Sequence, residues 1–388
     1  MTTSRRQTHK LGDRRVQQTQ ERRPWRTVLI MLVLLAAVLT LFIVWRLIRS
    51  VGSASEIRVS VLPCTASSDV TPFGDNVLTY DGRSIHCLST GGGIRWSVPV
   101  GSGAHFSCSD SQVVAWTDNQ VFIFDRSGHT TYNETFREQI QFARIGSRYC
   151  AVVKGGDTTP TLLVKNLDGT AVDEETDGYS GMLLLDMGFY GEADRYLWTM
   201  AIDVYSTAIN TVMNTFEVGR MNTGAVNLGK FLAYKVLYEN GRLRCFTTQQ
   251  MYTYDYKAVQ DLSASRLVYG WRMIDSYVPE RGNGVMLMAR EPTDESATTL
   301  IQELRVLTGS TDRRYTVPSA CVGAGIRGRY IYAISRDYCY RADMDAGRFT
   351  GFSIPLPQGQ SVTELLGLTT SCAIVASGDS VYSVTLPR

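Results

Sequence analysis

The stretch that decides the fold runs from Asn76 to Val100 and reads NVLTYDGRSIHCLSTGGGIRWSVPV. Three short apolar runs are separated in it by two turn signals, Asp81-Gly82 and Gly91–Gly93. An Asp-Gly pair between apolar runs is a strong hairpin signal, because the tight turn requires positive φ angles. The stretch therefore predicts three consecutive antiparallel strands.

Related segments recur along the rest of the chain. Each has apolar runs around a polar or glycine-containing turn, and they are Val113–Phe124, Leu162–Val172, Leu197–Val218, Asn240–Phe246, Val285–Leu307, Tyr330–Pro357 and Ala373–Leu386. Short strands with frequent turns are typical of a sandwich, a barrel or a propeller. Units that recur about every 40–50 residues favour an all-β propeller with four-stranded blades. At about 40–45 residues per blade, residues 57–388 predict about seven blades, within a range of roughly six to eight.

A propeller must also close its ring. The segment Ile57–Leu62, IRVSVL, alternates and stands alone before the first unit. We expect it to pair into the last blade beside Ala373–Leu386, because such pairing leaves no exposed sheet edge between the first and last blades.

An apolar segment precedes this domain. Thr27 to Trp45 is nineteen residues long and contains no charge, proline or glycine. At about 1.5 Å per residue its length approaches the roughly 30 Å of a bilayer core. We predict one transmembrane helix at residues 27–47, in contact with the lipid bilayer. A cleaved signal peptide is disfavoured because the apolar run is long and Arg46 and Arg49 follow it.

The charge distribution predicts the orientation of this helix. Residues 1–26 contain eight Lys or Arg and two acidic residues, whereas Arg46 and Arg49 are the cations on the other flank. The more basic side remains in the cytoplasm. We therefore expect a basic, disordered cytoplasmic tail at 1–26, a linker at 48–56 and an extracytoplasmic domain at 57–388, anchored in the plasma membrane.

The formal charge is +8 for residues 1–49 and −6 for residues 50–388. A mildly acidic outer domain argues against nucleic acid as a partner, since nucleic-acid binding requires a basic surface.

The order of elements in Tyr80–Trp96 is strand, Asp-Gly, strand, Thr-Gly-Gly and Trp. It resembles the repeat of quinoprotein-type (PQQ-like) β-propellers, a group that includes the propeller lipoprotein of bacterial outer-membrane assembly. The later segments match this repeat only loosely. The complete layout resembles single-pass, membrane-anchored propeller proteins of Firmicutes, a resemblance that implies no activity.

All eight cysteines lie on the translocated side of the predicted helix. Cys87, Cys245 and Cys339 occupy corresponding positions in the predicted units, and Cys150 and Cys372 share another. Equivalent positions in separate blades are too far apart for a disulfide, so the sequence favours free buried thiols, with one or two disulfides as the alternative.

The sequence offers no catalytic, metal or cofactor site. Metal-ligating and nucleophile motifs such as H-E-x-x-H and G-x-S-x-G do not occur in it. We interpret His86 as a packed or rim imidazole and Gly91–Gly93 as a turn. The acidic runs Asp173–Asp177 and Asp294-Glu295 are interpreted as solvated turns, with weak calcium binding as the alternative. Trp96, Trp116, Trp198 and Trp271 are mainly explained by packing, although aromatic residues can also form a sugar-stacking or peptide-binding face.

These observations favour a non-enzymatic, protein-binding or scaffolding module of the bacterial cell envelope, with envelope proteins as partners. The alternative is a surface protein that binds or cleaves cell-wall glycan by means of loop carboxylates and aromatic residues. A quinone-dependent oxidoreductase is a remote alternative implied by the resemblance. Such enzymes typically contain an adjacent cysteine pair, and no two cysteines are adjacent here.

Overall fold

From residue 57 onward the chain pairs into eight antiparallel sheets of four strands each. The computed structural model describes residues 29, 31–40, 42, 57–279, 283–291, 300–309 and 311–388, with the backbone alone at 221–223. Seven sheets contain four consecutive strands, and the eighth combines the first strand of the chain with the last three. This is the arrangement of a β-propeller with eight blades.

The strands of the first four blades follow one another in chain order. Their bounds are: blade 1, β2 (Asp69–Phe73), β3 (Asn76–Tyr80), β4 (Ser84–Ser89), β5 (Ile94–Pro99); blade 2, β6 (His105–Cys108), β7 (Gln112–Trp116), β8 (Gln120–Asp125), β9 (Thr130–Thr135); blade 3, β10 (Ile140–Ile145), β11 (Tyr149–Gly156), β12 (Thr159–Asn166), β13 (Ala171–Glu175); blade 4, β14 (Met182–Tyr190), β15 (Tyr196–Asp203), β16 (Asn210–Glu217), β17 (Met221–Gly229).

The remaining blades complete the ring, and β1 (Val59–Thr65) is the outer strand of the last. Their bounds are: blade 5, β18 (Lys235–Glu239), β19 (Arg242–Phe246), β20 (Gln250–Tyr254), β21 (Arg266–Leu267); blade 6, β22 (Trp271–Tyr277), β23 (Val285–Arg290), β24 (Ile301–Thr308), β25 (Thr311–Cys321); blade 7, β26 (Gly323–Arg327), β27 (Tyr330–Ile334), β28 (Tyr338–Asp343), β29 (Phe349–Ser353); blade 8, β30 (Glu364–Leu368), β31 (Cys372–Ser377), β32 (Ser380–Thr385).

The first strand of each blade lies nearest the ring axis, where it contacts the first strand of the next blade, as β10 contacts β14 and β26 contacts β30. We call the surface at which these inner strands begin the start face. It carries the connections between blades and the connections between the second and third strands of each blade. The opposite surface, with the other two hairpins of each blade, is the end face.

Burial explains the sequence pattern of the strands. Second strands are buried on both sides by neighbouring blades, so β7 (QVVAW) and β31 (CAIVAS) are almost continuously apolar. Outer strands have one edge in water, and β9 (TTYNET) is accordingly polar and largely exposed. The turn after β3 is fixed by Asp81, whose Oδ1 accepts the amides of Arg83 (2.9 Å) and Ser84 (2.8 Å), with Gly82 at φ +95°.

Eight clusters of buried apolar side chains each join two consecutive blades, and together they close the ring. The closing cluster packs Leu62 of β1 and Ile374 of blade 8 against Val77 and Leu88 of blade 1. Within the last sheet β1 pairs with β32, so the predicted pairing of Ile57–Leu62 beside the C-terminal strands is confirmed.

The number of blades is eight, at the upper end of the predicted range and one above its central value. The estimate of seven took the longer end of the assumed repeat, although residues 57–388 in eight blades average about 41 residues each. The inner strands of the first three blades begin at Asp69, His105 and Ile140, each fewer than 40 residues after the last. The segment Asn76–Val100 and the seven segments related to it together number eight, the observed count of blades.

The structure also corrects one alignment of cysteines. Cys87 and Cys339 lie in third strands, β4 and β28, whereas Cys245 lies in a second strand, β19. The Asn240-Gly241 turn joins the first and second strands of its blade, because similar turn residues serve every hairpin in a blade. Cys150 and Cys372 do share the second-strand position, in β11 and β31. All eight cysteines are free thiols.

Residues 31–40 are helical. Among the residues that the structure describes, no helix has both the length and the apolar character to cross a membrane. The other residues of the predicted segment 27–47, apart from 29 and 42, lie outside the described residues. The predicted tail 1–26, the linker 48–56 and the acidic pair Asp294-Glu295 also lie outside them.

Candidate functional site

Charged side chains join the inner strands on two sides of the ring. Arg327 of blade 7 donates to Asp275 of blade 6 (3.1 Å) and to the carbonyl oxygen atoms of Leu368 and Thr369 of blade 8. Arg144 of blade 3 pairs in the same way with Asp186 of blade 4, at 2.9 Å. These half-buried pairs link neighbouring inner strands, so we assign them to the stability of the ring.

A cleft of about 990 Å³ opens where blades 6, 7 and 8 meet at the start face. Its walls are the beginnings of β22, β26 and β30 and the ends of the connection from β23 to β24. Apolar side chains line part of it, with Ile274 and Ile301 on the blade 6 side and Leu365 on blade 8. The volume is at the upper end of the range for ligand sites in proteins, roughly 300–1,000 Å³.

Charged side chains at the rim make the cleft polar as well as apolar. Arg290 and Glu303 form an ion pair at 2.9 Å between exposed groups. Arg272, Glu291 and Glu364 line the same cleft and form no ion pair within the described chain. The cleft therefore has both cations and carboxylates available to a ligand.

An arc of exposed apolar side chains continues from the cleft across the start face. We call it the apolar arc, and its members lie on start-face connections or strand ends of blades 4 to 7: Val204, Tyr205, Ile209, Leu232, Tyr234, Leu267, Tyr269, Leu300 and Tyr338. Leu267 and Tyr269 are 72% and 73% exposed. Leu300 belongs to both the arc and the cleft.

The other half of the start face is different. In blades 1, 2, 3 and 8 the connections between the second and third strands are short polar turns, such as Asp81–Arg83 and Asp118-Asn119, and the described start-face connections of these blades carry no exposed large apolar side chain. The apolar side chains are thus concentrated on one side of the ring. An uneven distribution of exposed apolar side chains on a folded domain is typical of an interaction site.

The backbone beneath the arc is held by hydrogen bonds between blades. The Tyr234 hydroxyl accepts the amide of Met273 at 2.9 Å, which joins the connection before blade 5 to the inner strand of blade 6. The amide of Glu291 donates to the carbonyl oxygen of Gly270 at 3.0 Å, beside Tyr269. Because its backbone is fixed, this part of the arc can bind a partner with little ordering cost.

His86 forms a hydrogen-bonded row with two neighbours in blade 1. Its Nε2 lies 2.9 Å from Asp81 Oδ2 and its Nδ1 lies 2.6 Å from Ser97 Oγ. The hydrogen bond from His86, with the amides of Ser84 and Arg83, lowers the pKa of Asp81 to about 2. The three residue types match a catalytic triad, but the row lies on blade 1 and the cleft on blades 6 to 8. We assign it to fixing the turn after β3, in line with the interpretation of His86 as a packed or rim imidazole.

The interpretation of the acidic run Asp173–Asp177 as a solvated turn is wrong for its first three residues, which belong to the outer strand β13. Asp173 accepts the amide of Gly219 at 2.6 Å, and Glu175 accepts the amide of Gly178 at 2.8 Å. Glu174 lies 3.9 Å from Lys154 Nζ. These carboxylates have separate partners, and the described residues contain no group of three or more side chains placed to hold a metal ion.

The other residues singled out from the sequence are also structural. Trp116, Trp198 and Trp271 are buried, and the half-buried Trp96 donates its indole N–H to the carbonyl oxygen of Arg126 at 2.9 Å. Gly91–Gly93 forms the turn of the β4–β5 hairpin, with the Gly92 amide bonded to Ser89. Burial raises the pKa of the Cys150 thiol to about 12, which keeps it protonated and unreactive at neutral pH.

Neither the arc nor the cleft could be identified from the sequence. Their residues come from connections and strand ends of blades 4 to 8 that are separated by long stretches of chain, and exposed leucines and tyrosines look the same in sequence as buried ones. The sequence did contain one feature that could have indicated the apolar arc. The connections Val204–Ile209 and Lys230–Tyr234 contain several large apolar residues, whereas the second-to-third-strand turns of the early blades are short and polar, such as Asp81–Arg83 and Thr117–Asn119.

No protein-family model matches the chain, and no curated protein matches its sequence. Solved structures do resemble it. The WD40 domain of SCAP from fission yeast has a TM-score of 0.56 at 8% identity, with 86% of this chain and 98% of that chain covered. Sqt1 of Saccharomyces cerevisiae has a TM-score of 0.53 at 10% identity, with the same coverage of 86% and 98%. BamB from Moraxella catarrhalis has a TM-score of 0.48 at 11% identity, covering 86% of this chain and 99% of that chain.

At these identities the likeness shows the fold and not a shared activity. The quinoprotein-type repeat and the anchored proteins of Firmicutes remain resemblances in sequence. The chain contains an eight-bladed β-propeller.

Proposed function

We propose that this chain is a protein-binding module that docks its partner on the apolar arc and the adjoining cleft. The observation that carries the proposal is that the exposed leucine, isoleucine and tyrosine side chains of the start face all lie in one half of that face, on blades 4 to 7. Propellers commonly serve as protein-interaction platforms, and Tyr and Leu at a fixed surface supply contact area at low entropic cost.

The proposal includes the location inferred from the sequence. In it, the apolar segment Thr27 to Trp45 anchors the chain in the plasma membrane, with residues 57–388 outside the cytoplasm. Its partners are then proteins of the cell envelope. The basic residues before the segment and the apolar character of the segment support this arrangement.

Crosslinking in living cells tests the proposal. Full-length protein is crosslinked, purified and identified with its partners by mass spectrometry. The test variant carries Leu267→Ser and Tyr269→Ser in the arc. The control carries Val259→Ser and Leu262→Ser, which lie on the end face of the same blade and are 62% and 76% exposed. A partner lost from the arc variant and kept by the control supports the proposal, and equal recovery by both variants contradicts it.

Glycan binding is a second candidate, favoured by the exposed rings of Tyr205 and Tyr269, which are 78% and 73% exposed. An exposed ring on a fixed connection can stack on a sugar face. Retention of the full-length protein on cell-wall glycan, with loss on addition of free sugar and in Tyr269→Ser, would favour this function over protein binding.

A further inference from the structure

We propose that the partner segment bound at the apolar arc is acidic as well as apolar, with carboxylates that pair with Lys230, Lys235 and Arg272. This inference rests on the proposed protein-binding function and adds the chemical class of the partner. It concerns the part of the arc on blades 4 to 6.

Three exposed cations border this part of the arc. Lys230 begins the connection that carries Leu232 and Tyr234, and Lys235 begins the strand that follows it. Arg272 lies in β22, directly after the connection that carries Tyr269. None of the three forms an ion pair within the described part of the chain.

The balance of charge among the described residues of this part of the start face is positive. Tyr234 lies close enough to Arg272 and Glu291 for both charges to affect the pKa of its hydroxyl, which is raised chiefly by burial. Among these described residues, the cations Lys230, Lys235 and Arg272 outnumber the carboxylates Asp203 and Glu291. A partner that covered these cations without supplying carboxylates would remove them from water without a compensating charge, which is unfavourable. Carboxylates beside apolar residues satisfy both parts of the surface.

The neighbouring cleft favours a peptide over a lipid surface. An anionic membrane would also be attracted to Lys230, Lys235 and Arg272. The same face, however, bears Glu364 without an ion-pair partner in the described residues and Glu303 paired with Arg290. A flat anionic surface would meet these carboxylates, whereas a narrow peptide can follow the arc and avoid them.

A displayed library of random dodecapeptides, selected on the purified full-length protein, tests the inference. Affinities of the enriched peptides are then measured by fluorescence anisotropy for the protein and three variants: Lys230→Glu with Arg272→Glu, Leu267→Ser with Tyr269→Ser, and the end-face control Val259→Ser with Leu262→Ser. We expect enriched peptides to combine Asp or Glu with apolar residues. Their affinity should fall about tenfold or more in the first two variants and remain unchanged in the control.

The outcomes separate the inference from the proposed function. Enriched peptides that are basic or neutral but depend on Leu267 and Tyr269 would overturn the acidic class and leave protein binding at the arc intact. Peptides whose affinity is unchanged by the substitutions at Leu267 and Tyr269 would overturn both the acidic class and the proposed protein binding at the arc. A lipid occupant is tested with the variant Tyr269→Trp and vesicles of brominated phosphatidylglycerol, where quenching greater than that of the unsubstituted protein, which has six tryptophans, would overturn the inference in favour of a membrane surface.

Discussion

Leu62 and Val381 lie opposite each other in the last blade, and both side chains are buried against blade 1. Leu62 belongs to β1, at the beginning of the domain, and Val381 to β32, at its end. The pair therefore joins the two ends of the chain segment that forms the ring. The stability of all eight blades depends on this junction, since an open ring would leave two sheet edges and two apolar faces uncovered.

Truncation at the junction tests this dependence. Leu62→Ala should lower the free energy of unfolding by about 2–5 kcal/mol, because Leu62 is 2% exposed and the change leaves a cavity between blades 8 and 1. Val61→Ala is the matched control, since Val61 is the adjacent residue and is 60% exposed. Urea unfolding of the full-length protein measures both. Equal stability of the two variants would show that the junction does not hold the ring, and deletion of residues 50–64 should unfold the domain altogether.

A buried ion pair connects blade 5 to blade 6. Glu239 accepts two hydrogen bonds from the Arg244 guanidinium, at 2.6 and 2.9 Å, and one from the Gly284 amide at 2.6 Å. Arg244→Met should cost about 3–5 kcal/mol of stability, because it leaves the buried Glu239 carboxylate without its cation.

The control for this prediction is Arg195→Met, which removes one partner of a pair with Glu217. The Arg195 side chain is 60% exposed, so we expect a much smaller loss of stability than in the Arg244 variant. Chemical denaturation compares the two. If the Arg244 variant is no less stable than the Arg195 variant, the buried pair contributes nothing beyond a surface pair.

Close packing of inner strands requires glycine at position 325. A Cβ atom there would lie 2.4 Å from Leu368 Cδ1 and 2.8 Å from Asp275 Oδ2. Gly325→Ala should therefore destabilise the protein by about 1–3 kcal/mol through overpacking. Gly91→Ala serves as the control, because the nearest atom to its Cβ would be 3.9 Å away. A thermal melt of the Gly325 variant that matches the control would contradict this account of the inner ring.

The Asp81–His86 contact should appear as a pH dependence of stability. The pKa of Asp81 in the folded protein is about 2, below the ordinary value of about 3.9. As the pH falls, the Asp81 carboxylate is therefore protonated in the unfolded chain before it is protonated in the folded one. The stabilisation is complete above about pH 4 and is lost as the pH falls toward 2. Melting temperatures of the protein and of Asp81→Asn should differ at neutral pH and converge near pH 2.

The effect is expected to be small, because Asp81 is about half exposed. Asp118→Asn is the comparison, since Asp118 lies in the corresponding turn of blade 2 and its carboxylate makes no hydrogen bond within the described chain. A difference for Asp81→Asn that persists unchanged below pH 2 would argue against the histidine contact as its source.

The fold could be predicted from the sequence because the same pattern of short strands and turns recurs along the chain. The Asp-Gly turn at Asp81-Gly82 and the alternation in Ile57–Leu62 each have a local physical cause, and both the hairpin and the ring closure follow from them. The number of blades could be predicted only as a range, because the length of the repeat varies with the length of its loops. Equally, the turn residues of Asn240-Gly241 do not say which hairpin of a blade they close.

The candidate site could not be predicted from the sequence in the same way. Whether Leu267 packs inside or lies in water depends on the length of β21, which has two residues and is too short for its blade partners to cover it. The unpaired state of Arg272 depends on the positions of side chains in other blades. Both properties arise only when distant connections meet on one face.

The most direct test of the central claim is site-specific photocrosslinking in cells. A photoreactive phenylalanine analogue replaces Tyr269 on the apolar arc in one full-length protein and Leu262 on the end face in another. The account predicts crosslinks to a specific protein from position 269 and none to that protein from position 262. Crosslinking to the same protein from both positions, or from position 262 alone, would contradict the assignment of the start face as the docking surface.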